Sequence, residues 1–384
     1  MKKITFVIIF WSLSVLVFAQ KPTLSKAWNL FYEKNYPKAK EIIDLCVQDE
    51  KLSTKASTYL YQGNINLYLS QAEMQKKQKD SNYQSPYADA PNEAFVAFKK
   101  AIALNPKVTA TDMLTPQDGL SELSMFLLIR GSQQIEQHDY ENALTTLERA
   151  AECFELSDSK NEYKSEMYYY LGFTQEMLKK NIKAILSYEK SLENHPKTPD
   201  VAIRLLELYK TEKRYDDVKK ILPKLETLYP NVPYFFTTKI EMEMRENKEN
   251  ALKMLENLPQ EIYNDIQSLS LIANFYILEE NYQRAEELLK RALMLAPDNF
   301  DVNYNMSVCY LNMSRIELMR VNELLLKSKD KETQNQATAI KAQALEYFVL
   351  AKQYYENSLR IQSDNPELYK LIQVIESQTE VFAK

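Results

Sequence analysis

The sequence predicts an all-α protein built from repeated helical hairpins, on three observations. Glycine totals 4 and proline 14 in 384 residues, leaving few places for the tight turns that join strands. Small residues recur 12 positions apart, each pair set among large apolar residues at helical spacing, and the clearest copies lie 34 residues apart. Three of the four glycines, Gly63, Gly131 and Gly172, occupy the same position in this pattern.

The chain opens Met1-Lys2-Lys3, runs apolar from Ile4 to Phe18 and continues Ala19-Gln20. A charged start, an apolar stretch and a small residue are the plan of a secretory signal, here 1–19 with cleavage after Ala19. The apolar run has 15 residues with Ser12 and Ser14 inside it, short of the roughly 20 that span a bilayer. No cysteine follows the small residue to take a lipid, so the expected product is soluble and exported, periplasmic or beyond.

The best-formed unit reads Leu269, Ile272-Ala273, Tyr276, Asn281-Tyr282, Ala285, Leu289, Ala292, Pro297. The same spacing gives Tyr168, Leu171-Gly172, Ala184, Tyr188, Ser191, Pro196, and then Leu205-Leu206, Tyr209, Tyr215, Val218, Leu222, Leu225, Pro230. Each unit reads as two antiparallel helices. Each helix brings a small residue to the crossing, large residues fill the seam, and proline stops the second helix because it cannot donate its amide. Glycine inside a helix costs about 1 kcal/mol relative to alanine, so it belongs where a larger side chain would force two backbones apart.

In residues and period these units resemble the tetratricopeptide repeat family over most of 20–365. Eight units are anchored on Ala39, Ala94, Ala143, Ala184, Val218, Ala251, Ala285 and Ala351. The unit at Ala251 departs by placing Lys239 at the small position, and the last has Ser363 for the terminal proline. The resemblance implies an α-solenoid: a right-handed superhelix of about eight hairpins whose concave groove is lined mainly by first helices.

Two units are long. Gly63 and Ala94 are 31 positions apart, and Ser307 and Ala351 are 44 apart. Helical insertions are therefore expected at about 70–91 and 313–345. The first should extend a helix through Lys79, with a loop from Asp80 to Pro91 carrying Tyr83 and Tyr87. The second should be a long hairpin turning near Ser328 to Lys331, a candidate docking arm or homodimer contact. Residues 366–384, with Leu368, Leu371-Ile372 and Ile375 on one face, suit a capping helix that closes the array.

Charge and chemistry narrow the function. The formal charge of −5 becomes −7 once Lys2 and Lys3 leave with the signal, and basic residues are interleaved with acids, which disfavours nucleic acid. Cys46, Cys153 and Cys309 are far apart inside helical patterns and read as buried free thiols. His138 and His195, the only histidines, fall in predicted turns with no second ligand at metal spacing, and no phosphate loop, GxSxG or HExxH occurs. Acidic pairs such as Glu241 with Glu243 and Glu279 with Glu280 read as solvated helix surface. No cofactor, metal or catalytic residue is expected, and the chain reads as a non-enzyme.

What remains is the groove implied by the resemblance. One inward turn of each first helix offers Trp28, Tyr61, Asn64, Tyr68, Tyr169, Phe173, Arg204, Glu207, Asn274, Ile277 and Tyr304, with aromatics toward the amino-terminal half. Aromatics and arginine carry most energy at protein interfaces. The family's clamp for a peptide carboxylate is not matched: Asn274 is suitably placed, but Ser270 stands where lysine is expected. The expected function is a cell-envelope scaffold holding a protein or peptide partner. The alternative is a glycan or small-ligand receptor using stacked aromatics such as Tyr169 and Phe173.

Overall fold

A computed structural model describes residues 22–157, 163–194, 198–328 and 330–383. The proposed signal, His195, Pro196 and Lys329 lie outside the described residues. Among those described the fold is all-α, with seventeen α-helices, one short 3-10 helix and no strand. The chain divides into two compact units, Met1–Val201 and Ala202–Lys384.

The first unit contains α1 (Leu24–Tyr32), α2 (Tyr36–Gln48), α3 (Ala56–Lys79), α4 (Ala90–Leu104), α5 (Pro116–Glu136), α6 (Tyr140–Ser157), α7 (Lys164–Met177) and α8 (Asn181–Glu193). Helix α9 (Asp200–Thr211) begins at its end. In the second unit follow α10 (Tyr215–Leu228), α11 (Pro233–Glu246), α12 (Lys248–Glu256), the 3-10 helix (Gln260–Asn264), α13 (Ile266–Leu278), α14 (Tyr282–Leu295), α15 (Phe300–Lys327), α16 (Lys331–Ile361) and α17 (Pro366–Ala383). From α1 to α8 each helix packs on the next, and α1, α3, α5 and α7 also pack in succession. The second unit repeats this for α11, α13 and α15. Successive hairpins therefore stack; the first unit has one core cluster across α1–α3 and another across α3–α7, and in the second a single cluster runs from Ile240 to Ile375.

The repeat pattern has a direct steric cause. All eight anchors, Ala39, Ala94, Ala143, Ala184, Val218, Ala251, Ala285 and Ala351, are 0% exposed. At the partner position a Cβ on Gly131 would lie 2.6 Å from Leu147, and one on Gly172 would lie 2.7 Å from the Tyr188 ring. Gly119, which the repeat pattern does not place, serves the same end: Phe98 lies between two glycines, with a Cβ on Gly63 2.5 Å and on Gly119 2.3 Å from its ring. The long last unit keeps the same crossing, because Ser307 Oγ donates to the Ala351 carbonyl at 2.8 Å and Ser314 Oγ to that of Ala344 at 2.7 Å.

The hairpin turns share a backbone device absent from the residue pattern. Lys34, His138, Lys179, Lys213 and Glu280 all have φ between 57° and 59°, each five positions before an anchor. The residue after each bonds back to the preceding helix, as Asn35 N does to Leu30 O at 2.8 Å and Asn281 N to Tyr276 O at 2.8 Å. This is a helix end closed by one left-handed residue, here without glycine. The unit at Ala251 lacks it; α11 runs to Glu246 and Asn247 caps α12 through Asn250 N at 3.2 Å. Pro223 sits inside α10, where it removes a helical hydrogen bond.

Cys46, Cys153 and Cys309 are free and 0% exposed. Burial pushes the Cys153 and Cys309 thiols up to about 12. They are inert at neutral pH, since the thiolate is the reactive form.

Candidate interaction surface

In the first unit the predicted aromatics form two groups. Trp28 on α1 stacks on Tyr32 at 5.3 Å between centroids, and its Nε1 donates to the Thr111 carbonyl at 3.3 Å. Tyr32, one turn on and 68% exposed, was not anticipated, although its spacing from Trp28 is helical. Tyr61 and Tyr68 on α3 are half-buried against the α1–α2 core, Tyr68 meeting Phe31 edge-on at 5.2 Å. The second group gathers on α7: half-buried Tyr169 and Phe173 stack at 6.5 Å with 28° between ring planes. Tyr188 of α8 lies 6.2 Å from Tyr169, and Tyr140 of α6 lies 6.5 Å from Phe173. Tyr140 extends this surface and accepts or donates a hydrogen bond with His138 Nδ1 at 3.0 Å, so His138 is an exposed turn residue tied to a phenol.

Two predicted groove residues are core instead. Asn64 is 0% exposed; its Nδ2 donates to the Leu60 and Leu114 carbonyls at 3.0 and 3.1 Å, and its Oδ1 accepts from Leu114 N at 3.0 Å. It clasps the segment entering α5 and has no hydrogen-bonding edge left for a partner. Ile277 is 7% exposed and packs in the second unit's core. The reason is shared. Gly63–Leu67 are all buried, as are Phe275–Ile277, so these inner helices have little polar face from which to read phase.

In the second unit Glu207 is exposed on α9, and Arg204 half-buried. Glu207 accepts from the Tyr234 hydroxyl and pairs with Lys210 at 3.0 Å, and Lys210 also reaches Glu241 at 3.3 Å. Burial alone would lower the Lys210 pKa, but the Tyr234 oxygen and the two carboxylates raise it above the ordinary lysine value. Lys210 is therefore a charged strut between α9 and α11, not a nucleophile. Glu241, expected on solvated surface, is half-buried in this network, and Glu279 is held by Lys248 at 2.7 Å. Asn274 is exposed on α13, and half-buried Tyr304 stacks on Phe300 at 6.0 Å. Ser270 is buried and accepts from Asn305 Nδ2 at 3.0 Å.

The described residues hold no cluster of three or more histidine, cysteine, aspartate or glutamate side chains that could bind a metal. None of their helices is long and apolar enough to cross a membrane.

Residues 276–317, the end of α13, all of α14 and the start of α15, match the family model described as tetratricopeptide repeat. This segment is a tetratricopeptide repeat. The tetratricopeptide architecture also appears in solved structures of low likeness. YrrB, described as a TPR protein with an unusual peptide-binding site, is 18% identical with a TM-score of 0.35, covering 54% of this chain and 95% of its own. A tetratricopeptide protein from Parabacteroides merdae is 15% identical with a TM-score of 0.34, covering 74% and 96%. One from Bacteroides fragilis is 16% identical with a TM-score of 0.28, covering 66% and 98%. These likenesses are too distant to bear on what this chain binds.

Proposed function

We propose that the chain is a non-catalytic scaffold of the bacterial cell envelope that holds a protein or peptide partner against its first helices. The observation that carries this is the aromatic surface on α6 and α7, where Tyr140, Tyr169 and Phe173 stand together with half-buried rings. Large rings with few rotatable bonds lose little entropy on contact, so a surface already ordered in the free protein gives affinity with modest contacts. The amino-terminal signal pattern supports the envelope.

The test captures partners from an envelope extract with the chain lacking 1–19, beside Tyr169→Ala/Phe173→Ala and a control at the 66%-exposed Lys253. A defined protein retained by parent and control and lost with the aromatic pair is the expected result. The parallel Tyr169 and Phe173 rings also suit a sugar face. Binding of a neutral oligosaccharide lost with the same pair, and no retained protein, would replace the scaffold by a glycan receptor.

A further inference from the structure

We propose that the pocket under the inserted loop after α3 binds a peptide through an acidic side chain. The inference rests on the reading of the chain as a protein-binding scaffold, but it names a different surface and a chemical class of partner.

Helix α3 continues to Lys79, and the chain folds back over its last turns before α4 starts at Ala90. The fold-back is tied to the helix by Glu73, only 5% exposed, whose Oε2 accepts from the Tyr83 and Ser85 hydroxyls at 2.7 and 2.6 Å. Its Oε1 takes Lys76 Nζ at 2.6 Å. Facing it are the last two turns of α5 and its C-cap Gln137, where Arg130, Gln133, Gln134 and Gln137 share one face at spacings of three and four. Between them lies a pocket of about 300 Å3, the lower end of the range for ligand sites.

With Glu73 paired to Lys76, the lining keeps an excess of positive charge. Glu73 is neutralised by Lys76 and saturated by its three donors. Asp139 accepts from Asn142 Nδ2 at 3.1 and 2.9 Å. Arg130 and Lys77 also line the pocket, and neither pairs with a carboxylate among the described residues. Gln134 Oε1 is buried with no hydrogen-bond partner, a state that costs about 1–3 kcal/mol until a donor arrives. The pocket therefore presents two cations, Arg130 and Lys77, against the single carboxylate of Asp139, which only a neutral amide contacts, with the unsatisfied Gln134 oxygen in its wall. A glutamate or aspartate within a peptide supplies the complement: a carboxylate for the Arg130 fork and a backbone N–H for Gln134. A free dicarboxylate has no donor for Gln134, and a neutral sugar has no charge for Arg130.

The test is saturation-transfer NMR on the chain lacking 1–19 with three probes: the capped peptides acetyl-Ala-Glu-Ala-amide and acetyl-Ala-Gln-Ala-amide, and succinate. The glutamate peptide should bind at least about tenfold more tightly than the glutamine peptide, the scale of one charge-assisted hydrogen bond. Arg130→Gln should erase that difference, Arg130→Lys should keep part of it, and both should retain the parental circular dichroism. Equal binding of the two peptides, undiminished preference in Arg130→Gln, or succinate binding more tightly than either would overturn the proposal. Such a failure alongside intact protein capture through Tyr169 and Phe173 leaves the scaffold standing. Preference for the glutamate peptide without any captured protein leaves the pocket standing.

Discussion

At the scale of single residues the fold depends on what is missing from side chains at the crossings. Phe98 shows this most sharply, because Gly63 on α3 and Gly119 on α5 close on the same 0%-exposed ring. A methyl on Gly119 would begin 2.3 Å from Phe98 Cζ, and Gly63 also closes on the ring, its Cβ position 2.5 Å from Cε1. Helix propensity favours Gly119→Ala by about 1 kcal/mol. Overpacking in a filled core costs about 1–3 kcal/mol and should win. The urea midpoint of Gly119→Ala is therefore expected below the parent's, and an increase would show that Phe98 has room to move. The small positions were legible in the sequence because only small residues satisfy such a crossing. Asn64 and Ile277 were not: on helices packed from several sides an error of one residue turns a side chain by about 100°, from groove to core.

At the scale of the element the loop after Lys79 was legible in the sequence, but the left-handed turn geometry and the tie that straps that loop to Glu73 were not. Three lysines, a histidine and a glutamate, Lys34, Lys179, Lys213, His138 and Glu280, all take φ near +58°. Backbone hydrogen bonds select that conformation, as when Lys180 N bonds to Gln175 O at 2.8 Å. A left-handed non-glycine residue costs roughly 1–2 kcal/mol that glycine does not incur. Lys179→Gly should thus stabilise the fold by up to about 1 kcal/mol after the entropy of the added glycine, seen as a higher denaturation midpoint; a lowered midpoint would mean that the lysine side chain matters more than its backbone. The strap over α3 has a pH signature. Burial pulls the Glu73 pKa up, but the bonds from Lys76, Ser85 and Tyr83 outweigh it and hold the carboxyl below its ordinary 4.5. A depressed carboxylate stabilises the fold above its unfolded pKa, and this contribution disappears as pH falls through the folded value. Pepsin should therefore cut the segment 80–89 faster as pH drops below 4.5, and Glu73→Gln should be cut by chymotrypsin after Tyr83 or Tyr87 at neutral pH faster than the parent. Cleavage independent of both pH and this substitution would show that the loop is held by other contacts.

At the scale of the whole molecule stability should be distributed rather than concentrated. Every substantial helix contact joins an element to its neighbour or to the next but one, so a defect in one hairpin has only adjacent hairpins through which to act. Ala285 tests this. It is 0% exposed where α14 packs against α13 and α15, and Leu there adds three carbons to a filled crossing, at about 1–3 kcal/mol. Hydrogen exchange should show the lost protection in α13, α14 and α15, with the amides of α3 to α6 unchanged. The two compact units sharpen the expectation, because Ala285 and Phe98 belong to different ones. Equal loss of protection in both units would mean that the chain unfolds as one cooperative body, and the stacked hairpins would then be coupled far beyond nearest neighbours.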